Sequence, residues 1–253
     1  RVTRPQRDGL ARFVIHALYQ GMRLLHSGDY DLIFGGSALM TPLVYVLSRL
    51  AHTPSVTYVH GLDLIYQNPI YQWMIKTLLP QCTLILANSE ASRQEAIKRH
   101  VFPNQISVVN PGIYYCEFER SFDTCTIKRH YGLDGRVLLL SVGRLAARKG
   151  LLGFVKNSLP QIVKRHPEVV FTIVGGNPEL SLTHKEDIKT QIQAAADRLE
   201  IQNHVRLLGW VSRQDLIRIY HACDIFILPA IEVEGDMEGF GIVLVEASAA
   251  GKP

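Results

Sequence analysis

The feature that most constrains the fold is an alternation. Aliphatic runs of strand length recur between stretches with apolar residues at helical spacing. Arg136-Val-Leu-Leu-Leu-Ser-Val142 is the cleanest run. It is apolar on both sides of the pleat, as a parallel strand covered on both faces must be. A helical pattern follows from Leu151 to Val163, and further strands are expected near 169–174, 204–208 and 224–228, with helices between. An equivalent series comes first. A helix is expected over 9–26, carrying Phe13, Val14, Ala17, Leu18, Met22 and Leu25. Strands follow over 31–34, 55–59, 82–87 and 105–109, and helices over 41–50, 69–79 and 90–99. Pro42 is tolerable near a helix start, and Ser89 is placed to cap the last of these helices. Repeated strand–helix units of this kind imply parallel, doubly wound sheets.

Residues 112–134 break the rhythm and read as a linker with a short charged helix over 126–131. The expected division is a first domain over 1–113, a linker over 114–134 and a second domain over 135–253. The chain opens on Arg1 and closes on a helix end and turn at Ala250-Gly-Lys-Pro253. Both ends look cut, and the two domains are expected to be incomplete if the family resemblance given below holds.

Net charge is +4 with pI near 8.9. That is too little to argue for nucleic acid, but it suits anionic sugar nucleotides or an acidic lipid surface. No apolar run reaches the length of a membrane span. Cys82, Cys116, Cys125 and Cys223 form neither a C-x-x-C pair nor a zinc spacing. Cys82 and Cys223 lie at apolar strands and read as reduced core thiols, which fits a cytoplasmic protein.

Two stretches carry chemistry. Glu238-Gly-Phe-Gly-Ile-Val-Leu-Val-Glu246 sets two carboxylates eight positions apart around a glycine-flanked helix start. The backbone N–H groups of Gly239, Phe240 and Gly241 are expected at a helix N-terminus, where anions bind. Glu246 lies too deep in the helix to serve its dipole. A buried carboxylate there needs partners: hydroxyls of a bound sugar or ribose, or equally backbone or a neighbouring lysine. The second stretch is Gly143-Arg-Leu-Ala-Ala-Arg-Lys-Gly150, at the turn after a buried strand. Such turns lie at the carboxyl edge of an open α/β sheet, where ligands bind. Arg144 and Lys149 could hold a diphosphate through charge-assisted bonds; a solvated basic loop is the plainer reading.

Together these stretches resemble the nucleotide-sugar domain of family-4 retaining glycosyltransferases of the GT-B fold. Phe171-Thr-Ile-Val-Gly-Gly176, Val205-Arg-Leu-Leu-Gly-Trp210 and Asp224-Ile-Phe-Ile-Leu-Pro229 resemble the family's intervening strands, in order. Val59-His-Gly-Leu-Asp63, Ala87-Asn-Ser89 and Val109-Asn-Pro-Gly-Ile113 extend the likeness into the first half. The resemblance implies two Rossmann-like domains facing a cleft, and transfer of a hexose from a nucleoside-diphosphate sugar to a glycan or lipid-linked acceptor with retention. GDP-mannose is the favoured donor, because the 238–251 stretch and His60-Gly61 look similar to mannosyl-transferring members. By the same resemblance Arg144 and Lys149 bind the diphosphate, with Gly143 at the turn. Phe240, Gly241 and Ile242 contact phosphate and sugar through backbone amides beside Gly239. Glu238 binds sugar hydroxyls, Glu246 the ribose, and the backbone at Leu208 faces the base. His60 contacts the transferred sugar. Asp63 reads as a weaker contributor beside a turn or cap, and Gly35 and Gly36 could line the acceptor side.

No metal and no cofactor are implied. Glu232, Glu234 and Asp236 could bind a cation but read as a flexible acidic loop. Tyr114 stands where the family often has an aspartate, and Ala147 where an acid often precedes the basic position. Another GT-B enzyme such as an epimerase, or an inactive nucleotide-binding chain, stays open. A dinucleotide-binding oxidoreductase does not fit, since no G-x-G-x-x-G follows a strand. Arg4, Arg7, Arg12 and Arg23 flank the first helix, which suggests peripheral contact with an anionic membrane.

Overall fold

A computed structural model describes residues 9–28, 30–120, 122–177 and 187–253. It divides into two compact units. The first runs to Pro111 and takes in Gly235–Phe240; the second holds Gly112–Glu234 and Gly241–Pro253.

The first unit is built from α1 (Leu10–Ser27), β1 (Ile33–Gly35), α2 (Thr41–Ala51), β2 (Ser55–Val59), α3 (Leu62–Ile65), α4 (Pro69–Leu78), β3 (Leu84–Ala87), α5 (Glu90–Ile97) and β4 (Ile106–Val108). Asn68 and Ser89 cap α4 and α5 by accepting from the backbone of Tyr71 and Ser92. Each cap satisfies a donor that the helix itself leaves orphaned. The strands pair in parallel in the order β1-β2-β3-β4. Spatial order follows chain order, so right-handed connections put the helices on one face. The packing agrees. Val59, Ile85, Ala87 and Ile106 turn into a core with Leu64, Ile75 and Leu79. On the opposite face Phe34 is 57% exposed, and Tyr58, Leu84 and Leu86 are half-buried.

The second unit runs α6 (Thr124–His130), β5 (Val137–Val142), α7 (Leu151–Gly153), α8 (Leu159–Arg165), β6 (Val169–Val174), α9 (Ile188–Arg198), β7 (Val205–Gly209), α10 (Arg213–Ala222), β8 (Ile225–Phe226) and α11 (Ile242–Ala249). Its parallel order is β7-β6-β5-β8. The chain leaves β5 on one side and returns to pair on the other. Helices therefore cover both faces. Leu138, Leu140 and Val142 point into one core with Tyr220 and Phe226; Leu139 points into another with Leu159, Phe171 and Ile192. This is why β5 is aliphatic without alternation.

Two expectations shift. The helix over Leu151–Val163 is interrupted by a π-turn at Phe154–Ser158, where the Leu159 N–H reaches back to the Phe154 carbonyl. Pro160 has no N–H to give and crowds the preceding turn, so the backbone widens ahead of it. The strand over 224–228 pairs only at Ile225–Phe226. Asp224 replaces a ladder bond with its carboxylate, accepting from the Leu138 N–H at 2.7 Å.

All four cysteines are free, with Cys82 and Cys223 buried as expected. Burial pushes the Cys223 thiol up to about 11, so it stays an unreactive S–H. Among the described residues no helix is long and apolar enough to cross a membrane. Arg4 and Arg7 lie outside the described residues, while Arg12 and Arg23 are exposed on α1.

Candidate functional site

The second unit's strand order reverses between β5 and β8. Loops leaving the carboxyl ends of such neighbours diverge, and ligands bind in the crevice they leave. The backbone here is tightly drawn. The Gly143 N–H donates to the Val174 carbonyl at 2.9 Å, and the Gly175 N–H to the Gly209 carbonyl at 2.8 Å. Gly175 has φ 126°, and a Cβ on it would lie 2.0 Å from the Gly143 oxygen. Only glycine fits, which brings the ends of β5, β6 and β7 to one rim. Gly150 does the same for the loops beyond β5 and β8. It is left-handed at φ 66°, and its Cβ would lie 1.8 Å from the Pro229 oxygen. The Ile231 N–H donates to the Arg148 carbonyl at 2.9 Å alongside.

This rim carries the basic stretch. Arg144 is exposed. Arg148 and Lys149 are each only 6% exposed, and both engage neighbouring groups. The Lys149 stem lies along Gly143, 3.4 Å from where a Cβ would stand. Lys149 is therefore a cation set into the wall rather than a solvated side chain. Leu208, half-buried in β7, packs on the same core as Val142.

Helix α11 begins at Ile242, where the apolar run begins. Gly241 is its N-cap in a left-handed conformation, φ 70°. The amides of the helix's first turn are those of Ile242 and Val243, and the Leu244 N–H already bonds back to the Gly241 carbonyl. Gly239 and Phe240 immediately precede this N-cap. Gly239 sits against the His60 carbonyl, where a Cβ would come within 2.4 Å.

Glu246 is 8% exposed. Its partners are neither backbone nor lysine. Oε1 accepts from Arg213 Nη1 at 2.5 Å, and Oε2 from the Tyr220 hydroxyl at 2.9 Å. Arg213 also bonds Glu117 through Nε at 3.1 Å and Nη2 at 2.9 Å, and lies over the Phe118 ring at 5.5 Å. Burial opposes the Arg213 charge, but the hydrogen bonds it donates to Glu246 and Glu117 outweigh it and hold the guanidinium more firmly protonated. Burial, then the Glu246 charge, push the Tyr220 phenol far up, so it remains an O–H donor. Sequence reasoning missed both residues. Their one signal is a spacing of seven, which puts them on one face of α10.

In the first unit His60 follows β2 and is exposed. Its Nε2 lies 2.9 Å from the Gly36 carbonyl oxygen. A carbonyl can only accept, so Nε2 carries the proton. The ring meets Tyr58 edge-on at 4.8 Å. Asp63 works as a brace. Its carboxylate accepts from the backbone of His60 at 2.9 Å and Ala38 at 2.8 Å, and from the Ser37 hydroxyl at 3.0 Å. It ties the glycine turn after β1 to the one after β2. The 235–240 stretch lies over this turn, with Met237 and Ser92 against Gly61. Glu238 is half-buried there, Asp236 is buried, and Glu232 and Glu234 are exposed. The structure thus brings Glu238, Gly239 and His60 into one neighbourhood of the first unit. It brings Gly143, Arg144 and Lys149 to the rim of the second.

Comparison with known proteins fits this architecture. Residues 124–253, just over half of the chain, match the family model described as Glycosyl transferases group 1. The chain belongs to that family. Residues 1–114 match Glycosyltransferase Family 4. Among solved structures, Anabaena HepE in complex with UDP is similar at a TM-score of 0.76 and 23% identity, over 92% of this chain and 61% of that one. This likeness shows the fold: parallel-sheet α/β units of the GT-B type. The D-inositol 3-phosphate glycosyltransferase of Mycobacterium sp. (strain KMS) is 27% identical over 214 residues, 84% of this chain and 45% of the relative. The GDP-mannose-dependent alpha-(1-6)-phosphatidylinositol monomannoside mannosyltransferase of Mycolicibacterium smegmatis is 25% identical over 237 residues, 91% of this chain and 59% of the relative. The chain spans about half the length of these curated relatives.

Proposed function

We propose that the chain is part of a glycosyltransferase that moves a hexose from a nucleoside-diphosphate sugar to a glycan or lipid-linked acceptor with retention. The observation that carries this reading is the rim of the second unit. There an exposed Arg144 and an inset Lys149 stand where the strand order reverses, and Glu246 is held as a buried carboxylate one layer away in α11. Arg144 and Lys149 meet the diphosphate and the charge that grows on it as the bond to the sugar breaks. The amides of Gly241 and Ile242 add a helix N-terminus, and Glu246 takes the ribose diol. The Leu208 backbone faces the base. Glu238 and His60 of the first unit are proposed ligands of the sugar hydroxyls. In the transfer step the C1–O bond to the β-phosphate breaks as an acceptor oxygen bonds C1, and the acceptor proton passes to the leaving phosphate.

GDP-mannose is the proposed donor, supported by the mannosyl-transferring relative and by the 238–251 stretch. A UDP-sugar is the second reading, favoured by the UDP bound to HepE. A thermal-shift panel of GDP-, UDP- and ADP-sugars decides. The reading requires one base to stabilise the protein more than the others; no shift with any of them contradicts it. Because cationic side chains and amides meet the phosphate charge, we expect transfer to persist in EDTA. Full loss in chelator, restored by magnesium or manganese, would instead make the Glu232–Asp236 loop a metal site. A peripheral position on an anionic membrane is part of the proposal through Arg12 and Arg23 of α1, checked by salt-sensitive co-sedimentation with anionic vesicles.

A further inference from the structure

Glu246 is held in a way that a helix-borne carboxylate does not require for stability. A glutamate has three rotatable side-chain bonds, and ordering it costs entropy. Burying a carboxylate and a phenol beside a half-exposed guanidinium is also costly, and apolar residues of similar volume often serve stability as well or better. Here two donors from one face of α10 each take a different oxygen of the same carboxylate. Tyr220 is fully buried and packs edge-on to Phe118 at 6.1 Å. Arg213 is itself fixed by Glu117 and by the Phe118 ring. The donors' own positions are therefore over-determined. A carboxylate offers about four acceptor sites, and Arg213 and Tyr220 occupy one on each oxygen. Each oxygen keeps further acceptor capacity, and 11% of the side chain is open to solvent. Remaining acceptor capacity on each of the two oxygens suits two adjacent hydroxyl donors.

We propose that Arg213 and Tyr220 are positioning residues that lock the Glu246 carboxylate into the orientation needed to grip the vicinal diol of a nucleoside. The inference deepens the nucleotide-sugar reading and rests on it. Arg213 holds one oxygen of the carboxylate and Tyr220 the other, which together set its plane. A diol then gains two hydrogen bonds to a pre-oriented charge, whereas a 2′-deoxy sugar leaves one buried lone pair unmatched. Sites built around a hydroxyl reject analogues that lack it.

The test is a calorimetric comparison of GDP and UDP with their 2′-deoxy counterparts, on the full chain and on Tyr220→Phe and Arg213→Lys. The wild type should prefer the ribonucleotide. Each variant should weaken ribonucleotide binding by about tenfold and leave the deoxy affinity within about twofold, so the preference collapses. Arg213→Lys keeps a charge at a half-exposed position and remains informative if Tyr220→Phe lowers stability; thermal unfolding of each variant runs alongside. Folded variants that keep the wild-type preference would overturn the positioning role and leave the network purely structural. A wild type that binds ribo and deoxy forms equally would remove the diol assignment of Glu246, and the positioning role with it. A wild type that binds no nucleotide would remove the underlying functional reading.

Discussion

The two sheets grow from the same alternation of strand and helix, yet they are packed differently. In the first unit spatial order follows chain order, and one core lies on one face. In the second the order reverses at β5, and two cores sandwich the sheet. The reversal has a chemical consequence. Loops beyond β5 and β8 meet at Gly150 and Pro229, and the rim they form carries Arg144 and Lys149. The first sheet has no such reversal among the described residues. It offers a braced turn instead, Gly36, His60 and Asp63, held by neutral and carboxylate hydrogen bonds. One rim carries cationic side chains, and the other is a turn tied by hydrogen bonds.

The contrast in packing should show first in stability. Phe171, fully buried between β5 and β7, should lose about 3–5 kcal/mol on replacement by alanine. Phe34 on the bare face of the first sheet should lose less than about 1 kcal/mol. Denaturant titrations of the two variants check this, and equal losses would break the comparison.

The two glutamates sharpen it at the level of binding. Glu246→Gln, in the second unit, should weaken plain nucleoside diphosphate by about tenfold, the scale of a charge-assisted hydrogen bond. Glu238→Gln, in the first, should leave plain nucleotide unchanged and weaken only the sugar nucleotide. Calorimetry with both ligands separates them, and equal loss of plain nucleotide in both variants would end the division of labour.

The smallest expected effect is a pH dependence confined to the second unit. Burial lowers the His221 pKa below its ordinary 6.5, Lys252 adds to this, and a backbone bond at Phe118 partly offsets it. The unfolded chain thus binds the proton more readily than the native one. The His221 contribution is complete above pH 6.5 and is lost as pH falls through the lowered native value. Unfolding midpoints of wild type and His221→Gln should differ in slope below pH 6.5 and run parallel above it.

Much of this organisation is readable in the residues. The strands at 55–59, 137–142 and 169–174 follow from aliphatic runs, and the Ser89 cap from its residue type, because both are local signals. What could not be read depends on contacts distant in sequence. Arg213 and Glu246 are separated by 33 positions, so nothing local in either stretch points to the other. The packing of Gly239 on the His60 carbonyl is likewise a contact between residues far apart in the chain. The short β8 follows from Asp224 spending its carboxylate on Leu138. Asp63 reads as a possible ligand, yet its oxygens are committed to three donors within its own unit.

The central claim is that the rim of the second unit binds a nucleoside diphosphate through Arg144 and Lys149. Calorimetric titration of nucleoside diphosphate into wild type, Arg144→Ala and Lys149→Ala, with turnover measured on the same preparations, tests it most directly. The account predicts weaker binding in both variants and transfer slowed by roughly 10²–10³, the loss typical of removing a group that stabilises leaving-group charge. Unchanged affinity together with unchanged turnover in both folded variants would contradict it.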